Sequence, residues 1–339
     1  MKRLRKAYLT KGLLALLASF GPGMVQGAEA LKIGVSLPTQ AEEHWVRDKK
    51  AMEEKAKQLG VDLRVQITNN DSARQTSQVE NLLAQGIQVL IVAPHDSESA
   101  RGIVDKAKKM GVKVIAYDRL ITHAPVDLYI AIDNVHVGEL QGEYLAQRVP
   151  RGKYILLAGS PTDHNALLYR EGALKKLKPL IDSGAIDVIA DQPVKDWQPA
   201  EAQKIVEQAL TKSGNKVDGI LAPNDGTAGG AIQALAAQRL AGKVVVTGQD
   251  AELAAINRIL KGTQSMTVFK NSPKMSGLAV EMAVKMAKKE PLTEPTTMVE
   301  NGPFRVPALL FQGQIIEKKD IDPVLIRSGY FSEQEVYRR

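Results

Sequence analysis

The stretch Gln85-Gly86-Ile87-Gln88-Val89-Leu90-Ile91-Val92-Ala93-Pro94-His95-Asp96-Ser97 decides the fold. A helical period, Ala73 to Leu83, ends just before the glycine, and an unbroken apolar run follows it. A Pro-His-Asp-Ser turn then leads into a second helical period, Ser97 to Lys109. Glycine at the C′ position of a helix followed by a strand without polar alternation predicts a βα repeat whose strand is buried on both faces. The same punctuation stands at Leu59-Gly60-Val61 and Met110-Gly111-Val112, and strands are expected at Leu31–Val35 and Val89–Ala93 around a helix over Val46–Leu59. The pattern predicts an open parallel sheet with helices on both faces.

After Pro150-Arg151-Gly152 the alternation resumes. Strands are expected at Tyr154–Ala158, Ile186–Ala190, Gly219–Ala222, Val244–Thr247 and Met266–Phe269. Helices are expected around Leu167–Ile181, Pro199–Thr211, Ala228–Ala237, Ala251–Leu260 and Pro273–Lys288. Beyond Pro291 the chain reads as strand-rich, with a short helix near Asp320. The halves echo one another. Pro94 of the opening stretch matches Pro223 in Gly219-Ile-Leu-Ala-Pro223-Asn-Asp225, 129 residues later, and Asp118 matches Asp250, 132 residues later. Two similar α/β domains facing each other would set these strand ends across one cleft, where open parallel sheets bind ligands. Generic βα punctuation would also produce such an echo.

The chain has 339 residues, 44% hydrophobic and 24% charged, which suits two domains with cores of their own. It has no cysteine, which excludes disulfides, thiolate metal sites, a cysteine nucleophile and a lipidated cysteine. The formal charge of +7 is concentrated at the start. Lys2, Arg3, Arg5, Lys6 and Lys11 precede a short apolar run, Gly12–Phe20, and a small-residue exit, which is the form of a secretory signal over residues 1–27, with cleavage after Gly27 or Ala30. Removing 1–27 takes five basic residues and no acidic ones, leaving 40 against 38, a balance of +2. No Lys/Arg block then remains to neutralise phosphates, so nucleic acid is excluded as a partner. The expected product is a soluble, exported, monomeric protein.

Two tryptophans stand out where aromatics make up only 4% of the chain. Trp45 lies in Glu42-Glu-His-Trp-Val-Arg-Asp48 and Trp197 in Lys195-Asp-Trp-Gln-Pro-Ala-Glu201, each after a strand and among charges. Such rings suit the C–H face of a sugar. Hydrogen-bonding groups converge on the same loops: Asp118, Arg119, Asp133, Asn134, Asp163, Asn165, Asn224, Asp225, Asp250 and Lys270. Asp163 and Asp225 also fit helix N-cap positions. Signatures of catalysis are missing: no G-x-G-x-x-G after a strand, no P-loop, no G-x-S-x-G, and no histidine pair at zinc spacing among His44, His95, His123, His136 and His164. The sequence therefore predicts recognition without catalytic residues, metal or cofactor.

Six motifs carry a resemblance over about residues 31–330. They are Ala116-Tyr-Asp-Arg119, Asp133-Asn-Val-His-Val-Gly-Glu-Leu-Gln141, Gly159-Ser-Pro-Thr-Asp-His-Asn165, Pro223-Asn-Asp-Gly-Thr-Ala-Gly-Gly-Ala-Ile-Gln-Ala-Leu235, Gly248-Gln-Asp250 and Thr267-Val-Phe-Lys270. Together they resemble the periplasmic sugar-binding proteins of ABC importers, and within that family the xylose binders. The resemblance implies a type I periplasmic binding protein: two similar Rossmann-like parallel-sheet domains joined by a hinge of three crossings, near Asn134, Phe269 and Glu300. The lobes would then be 31–134 with 270–300, and 135–269 with 301–339.

It also implies that His44, Trp45, Asp118, Arg119, Asp163, Asn165, Trp197, Asn224, Asp250 and Lys270 contact a monosaccharide, D-xylose first, with both indoles sandwiching the ring. A membrane permease of the importer would be the partner, and a chemoreceptor is left open. His44 departs from the family pattern, which has arginine there. An imidazole offers one donor and one acceptor in place of five fixed donors, so ribose, another aldopentose, a hexose or a signalling polyol are the rival ligands. A periplasmic enzyme is a more distant rival. A DNA-binding repressor is another, but the leader occupies the place where its DNA-reading helices would stand.

Overall fold

The computed structural model describes residues 30–337; the leader expected over 1–27 lies outside the described residues. The first elements are β1 (Lys32–Leu37), α1 (Glu43–Leu59), β2 (Asp62–Ile67), α2 (Ser72–Ala84), β3 (Val89–Val92), α3 (Arg101–Lys109), β4 (Lys113–Tyr117) and β5 (Leu128–Ile132). Then come α4 (Asn134–Arg148), β6 (Gly152–Ala158), α5 (His164–Asp182), β7 (Ile186–Pro193), α6 (Pro199–Ser213), β8 (Gly219–Leu221), α7 (Asp225–Ala237), β9 (Val245–Val246), α8 (Leu253–Leu260) and β10 (Thr267–Phe269). The chain ends through α9 (Ser272–Ala287), β11 (Thr297–Asn301), β12 (Phe304–Phe311), β13 (Gln314–Ile316) and α10 (Glu333–Val336), with irregular helical turns between Lys318 and Ile326.

The opening stretch behaves as its composition requires. Leu90 and Val92 of β3 enter one apolar cluster with α2 and α3, while Val89 and Ile91 enter another with α1 and α9. Side chains alternate faces along a strand, so a strand covered on both sides must be apolar throughout. Gly60 ends α1 at φ 66°, and the N–H of Val61 donates to the Ala56 carbonyl at 3.0 Å, closing a left-handed cap that turns the chain into β2.

The first sheet has seven strands in the order β11-β12-β5-β4-β3-β1-β2, parallel except for β11 at the edge. The second sheet, β7-β6-β8-β9, is parallel, and Gln249 bridges its last strand segment to the β10–β13 pair. The second sheet is likewise covered twice, by α6 and α7 on one face and by α4 and α5 on the other.

Two expectations change. The third crossing is not near Glu300. Gly302, at φ 64°, turns β11 back into β12, and β12 runs parallel to β5 from Ala308 to Phe311, burying Val306 and Ala308 in the first sheet's core. The chain leaves that sheet only after Phe311, so residues 301–311 belong with the first sheet and not with the second. The helix expected from Ser97 starts at Arg101. The Asp96 carboxylate accepts the N–H groups of Glu98 and Ser99, and Ser97 donates its own N–H to the Thr162 carbonyl at 2.9 Å, so these residues form a turn that contacts the opposite sheet's loops.

Candidate functional site

The carboxyl ends of both parallel sheets open onto one small pocket, with about 280 Å³ of empty volume. The first sheet contributes Glu42 and His44 from the β1–α1 loop and helix start, and Asp118 and Arg119 directly after β4. The second contributes Asp163 and Asn165 at the start of α5, Trp197 after β7, Asn224 after β8, and Gln249 and Asp250 after β9. Lys270 follows β10, where the chain returns to the first sheet, and Tyr169 of α5 completes the wall. Nine of the ten residues singled out in the sequence meet here.

Trp45 does not. It is 0% exposed, packed in the core of the first sheet, with the Arg119 guanidinium carbon 5.4 Å from its ring centre and the His44 ring 4.3 Å away. The expected sandwich of two indoles is therefore replaced by one indole wall, Trp197, while Trp45 backs Arg119 from behind. Trp197 packs edge-on against Tyr169 at 6.3 Å, and its Nε1 donates to Asp163 at 3.1 Å. Its seat exists because residue 159 is glycine: a Cβ there would come within 2.0 Å of the indole.

The charges on the wall are arranged as buried pairs. Arg119 Nε meets Asp163 Oδ2 at 2.8 Å; Lys270 Nζ meets Asp118 Oδ2 at 2.8 Å and Asp250 Oδ1 at 3.2 Å. Burial opposes ionisation of Asp118, but Lys270, His44 and Arg119 outweigh it and hold its carboxyl below the ordinary value. Burial likewise opposes the charge on Lys270, and the two aspartates overcome that, pushing it well above the ordinary lysine value. For Asp163, burial dominates and raises the carboxyl despite Arg119. Buried charges held in pairs this way survive without water and remain directional.

The backbone is shaped for the same purpose. Asp118 sits at φ 60° and Asp250 at φ 99°, positive-φ conformations that aspartate tolerates better than most residues. Asn165 donates its amide to the Asp118 carbonyl and accepts from Asn134, fixing its orientation. Asp163 caps α5 through the Asn165 N–H at 3.0 Å and Asn224 caps α7 through the Thr227 N–H at 2.9 Å, so these two serve the helices and the cavity together. Asp133 caps α4 only. Asp225 faces away from the cavity, bonded to Gln264, Thr267 and the Glu252 N–H.

Three wall residues escape the sequence reading. Tyr169 follows Asn165 by one helical turn, a spacing that could have revealed it. Gln249 lies inside the quoted Gly248-Gln-Asp250. Glu42 carries no sequence signal beyond its nearness to His44. Among the described residues no helix is long and apolar enough to cross a membrane, and no group of three or more His, Asp or Glu is arranged to hold a metal ion.

Two facing parallel sheets, with a paired-charge cavity between their carboxyl ends, define a bilobal solute-binding protein of type I architecture. The chain belongs to the periplasmic binding protein family: the family model described as periplasmic binding protein domain matches residues 33–291. It is 44% identical to the D-xylose-binding periplasmic protein of Haemophilus influenzae, over 91% of this chain and 92% of that one. It is also 44% identical to the protein of the same name from Escherichia coli, over 91% and 93%. Among solved structures it superposes with TM-score 0.86 and 33% identity on a carbohydrate transporter solute binding protein from Chloroflexus aurantiacus in complex with D-glucose, covering 91% of this chain and 98% of that one.

Proposed function

We propose that this chain is an exported receptor that binds one neutral monosaccharide, D-xylose first, and delivers it unchanged to the membrane permease of an ABC importer. The observation that carries the reading is the cavity wall. Asp118, Asp163, Asp250, Arg119 and Lys270 are buried as fixed pairs with lone pairs and donors to spare, and three amides and one indole face the same space. Such a wall matches a compact ligand that is polar on its rim and apolar on one ring face, which describes a pyranose. The relatives named as D-xylose-binding periplasmic proteins support the choice of sugar, the periplasm as the place and binding without turnover.

The two sheets with their helices would act as lobes, 31–133 with 271–311 and 134–269 with 312–337, hinged where the chain crosses at 133–134, 270 and 312–313. Closure follows from ligand contacts on both sides: a sugar that touches both lobes stabilises the closed state by its differential affinity. The ligand contacts would be His44, Asp118, Arg119, Asp163, Asn165, Trp197, Asn224, Asp250 and Lys270, with Trp45 acting through Arg119.

A second reading, a receptor for ribose, a hexose or a polyol, draws on His44, which replaces a five-donor guanidinium by an imidazole on the wall. Calorimetric titration of the mature protein with D-xylose, D-ribose, D-glucose and myo-inositol separates the two. Tightest binding of D-xylose, one per chain, is expected. Binding of none of the four overturns the receptor reading, and tightest binding of another replaces D-xylose by that ligand.

A further inference from the structure

Glu42 stands apart from the other acids of the cavity. Asp163 is held by Arg119, and Asp118 and Asp250 share Lys270. Glu42 is also buried, 9% exposed, lines the same cavity, and forms no ion pair; its Oε2 has no hydrogen-bond partner. A buried carboxylate oxygen without a partner is costly, and such exceptions need a physical explanation. Close by in the chain the Trp45 indole N–H, itself without a hydrogen-bond partner, acts on the carboxyl and lowers it, but completes no hydrogen bond to Oε2, and Glu42 precedes α1 without capping it through its side chain. The wall carries four carboxylates against two permanent cations, and His44 beside Glu42 adds at most a titratable charge.

We propose that Glu42 is a ligand contact and a specificity determinant: its free oxygen accepts a hydrogen bond from the bound sugar, and the surplus carboxylate on the wall excludes sugars that carry a carboxylate of their own. The inference rests on the sugar-receptor reading and adds the chemistry of selection. A hydroxyl donor supplies the partner that Oε2 lacks and restores the interaction that burial removed. A uronate would bring a fifth carboxylate against a wall whose four carboxylates are already buried and in excess, where like charges repel strongly. Burial raises the Glu42 carboxyl above its ordinary value, and the nearby Arg119 and His44 draw it back.

The test compares D-xylose with D-glucuronate, which is the same pyranose ring bearing a carboxylate at C5. Both are titrated into the mature wild-type protein and into Glu42→Gln, with Glu42→Ala as a second variant and circular dichroism and thermal unfolding as checks on folding. The expected result is a roughly tenfold or greater loss of D-xylose affinity in Glu42→Gln. D-glucuronate is expected to be undetectable with the wild type and to become a measurable ligand of the variant. Unchanged D-xylose affinity in both folded variants overturns the contact. D-glucuronate that stays undetectable in both, or that weakens in step with D-xylose, overturns the selection. If the wild type binds no monosaccharide, it is the receptor reading that fails, which is a distinct outcome.

Discussion

Glu43 and Glu252 cap each other's helices across the cleft. The Glu252 carboxylate accepts the Glu43 N–H at 3.2 Å, at the start of α1, and the Glu43 carboxylate accepts the Leu253 N–H at 2.8 Å, at the start of α8. Each helix N-terminus leaves backbone donors unsatisfied and attracts negative charge. Here the acceptor comes from the opposite side, so both helices are best capped only when the cleft is shut. Arg119–Asp163 and the Ser97 N–H to the Thr162 carbonyl cross at other points of the same mouth.

Removing one arm of this exchange should loosen closure without unfolding either sheet. Glu43→Ala is expected to weaken D-xylose binding about fivefold, the equivalent of about 1 kcal/mol for a lost cap, with little change in melting temperature. Titration calorimetry reads the affinity, and small-angle scattering reads a larger radius of gyration in the sugar-saturated variant. Unaltered affinity and radius would show that the pair has no part in closure.

Glu252 also gives the protein a pH dependence. Burial and the charge of Asp250 push its carboxyl up from 4.5 to about 7. Between those values the folded protein holds a proton that the unfolded chain has released, so this residue's contribution is complete below pH 4.5 and lost as the pH rises through 7. Glu42, Asp163 and Asp225 are raised in the same direction, so the effect must be read as a difference between proteins. The melting temperature of wild type relative to Glu252→Gln should fall by a few degrees from pH 5 to pH 7.5. A difference that stays flat across that interval contradicts the assignment.

Lys270 carries the heaviest structural duty in the site, since Asp118 and Asp250 both depend on it. Lys270→Met leaves two buried carboxylates uncompensated and is expected to destabilise the fold by about 3–5 kcal/mol, read by urea unfolding. Lowering the pH should recover part of that loss, because the orphaned aspartates can then take up protons.

Gly159→Ala tests the indole wall. The added Cβ meets the Trp197 ring at 2.0 Å, and overpacking of this kind costs about 1–3 kcal/mol. Displacement of the ring should lower sugar affinity and change the Trp197 contribution to fluorescence. Unchanged affinity would mean that the sugar does not lie against this ring.

Much of this was legible in the sequence because the physical signal was local. Continuous apolar runs such as Val89–Val92 and the glycine after each helix betray strands buried on both faces, and polar residues directly after those strands must sit at the sheet's edge. What stayed hidden depends on three-dimensional neighbours. Trp45 and Trp197 look alike in sequence, yet Arg119 covers one ring and leaves the other on the cavity wall. The β11–β12 hairpin reads as tail, because its return to β5 is a pairing between residues about 180 positions apart. Glu42 has no periodicity or motif to mark it; only its missing partner does.

The central claim is that the cavity between the two sheets is where the sugar binds, and it is tested most directly by titrating D-xylose into wild type and Asp250→Asn side by side. Asparagine tolerates the φ of 99° at this position, so the backbone is preserved while the charge is removed. Wild type should bind one sugar per chain. The variant, with an intact cooperative unfolding transition, should bind roughly 10- to 100-fold more weakly, as the loss of a charge-assisted hydrogen bond requires. Equal affinity in the two proteins would place the sugar somewhere other than this cavity and contradict the account.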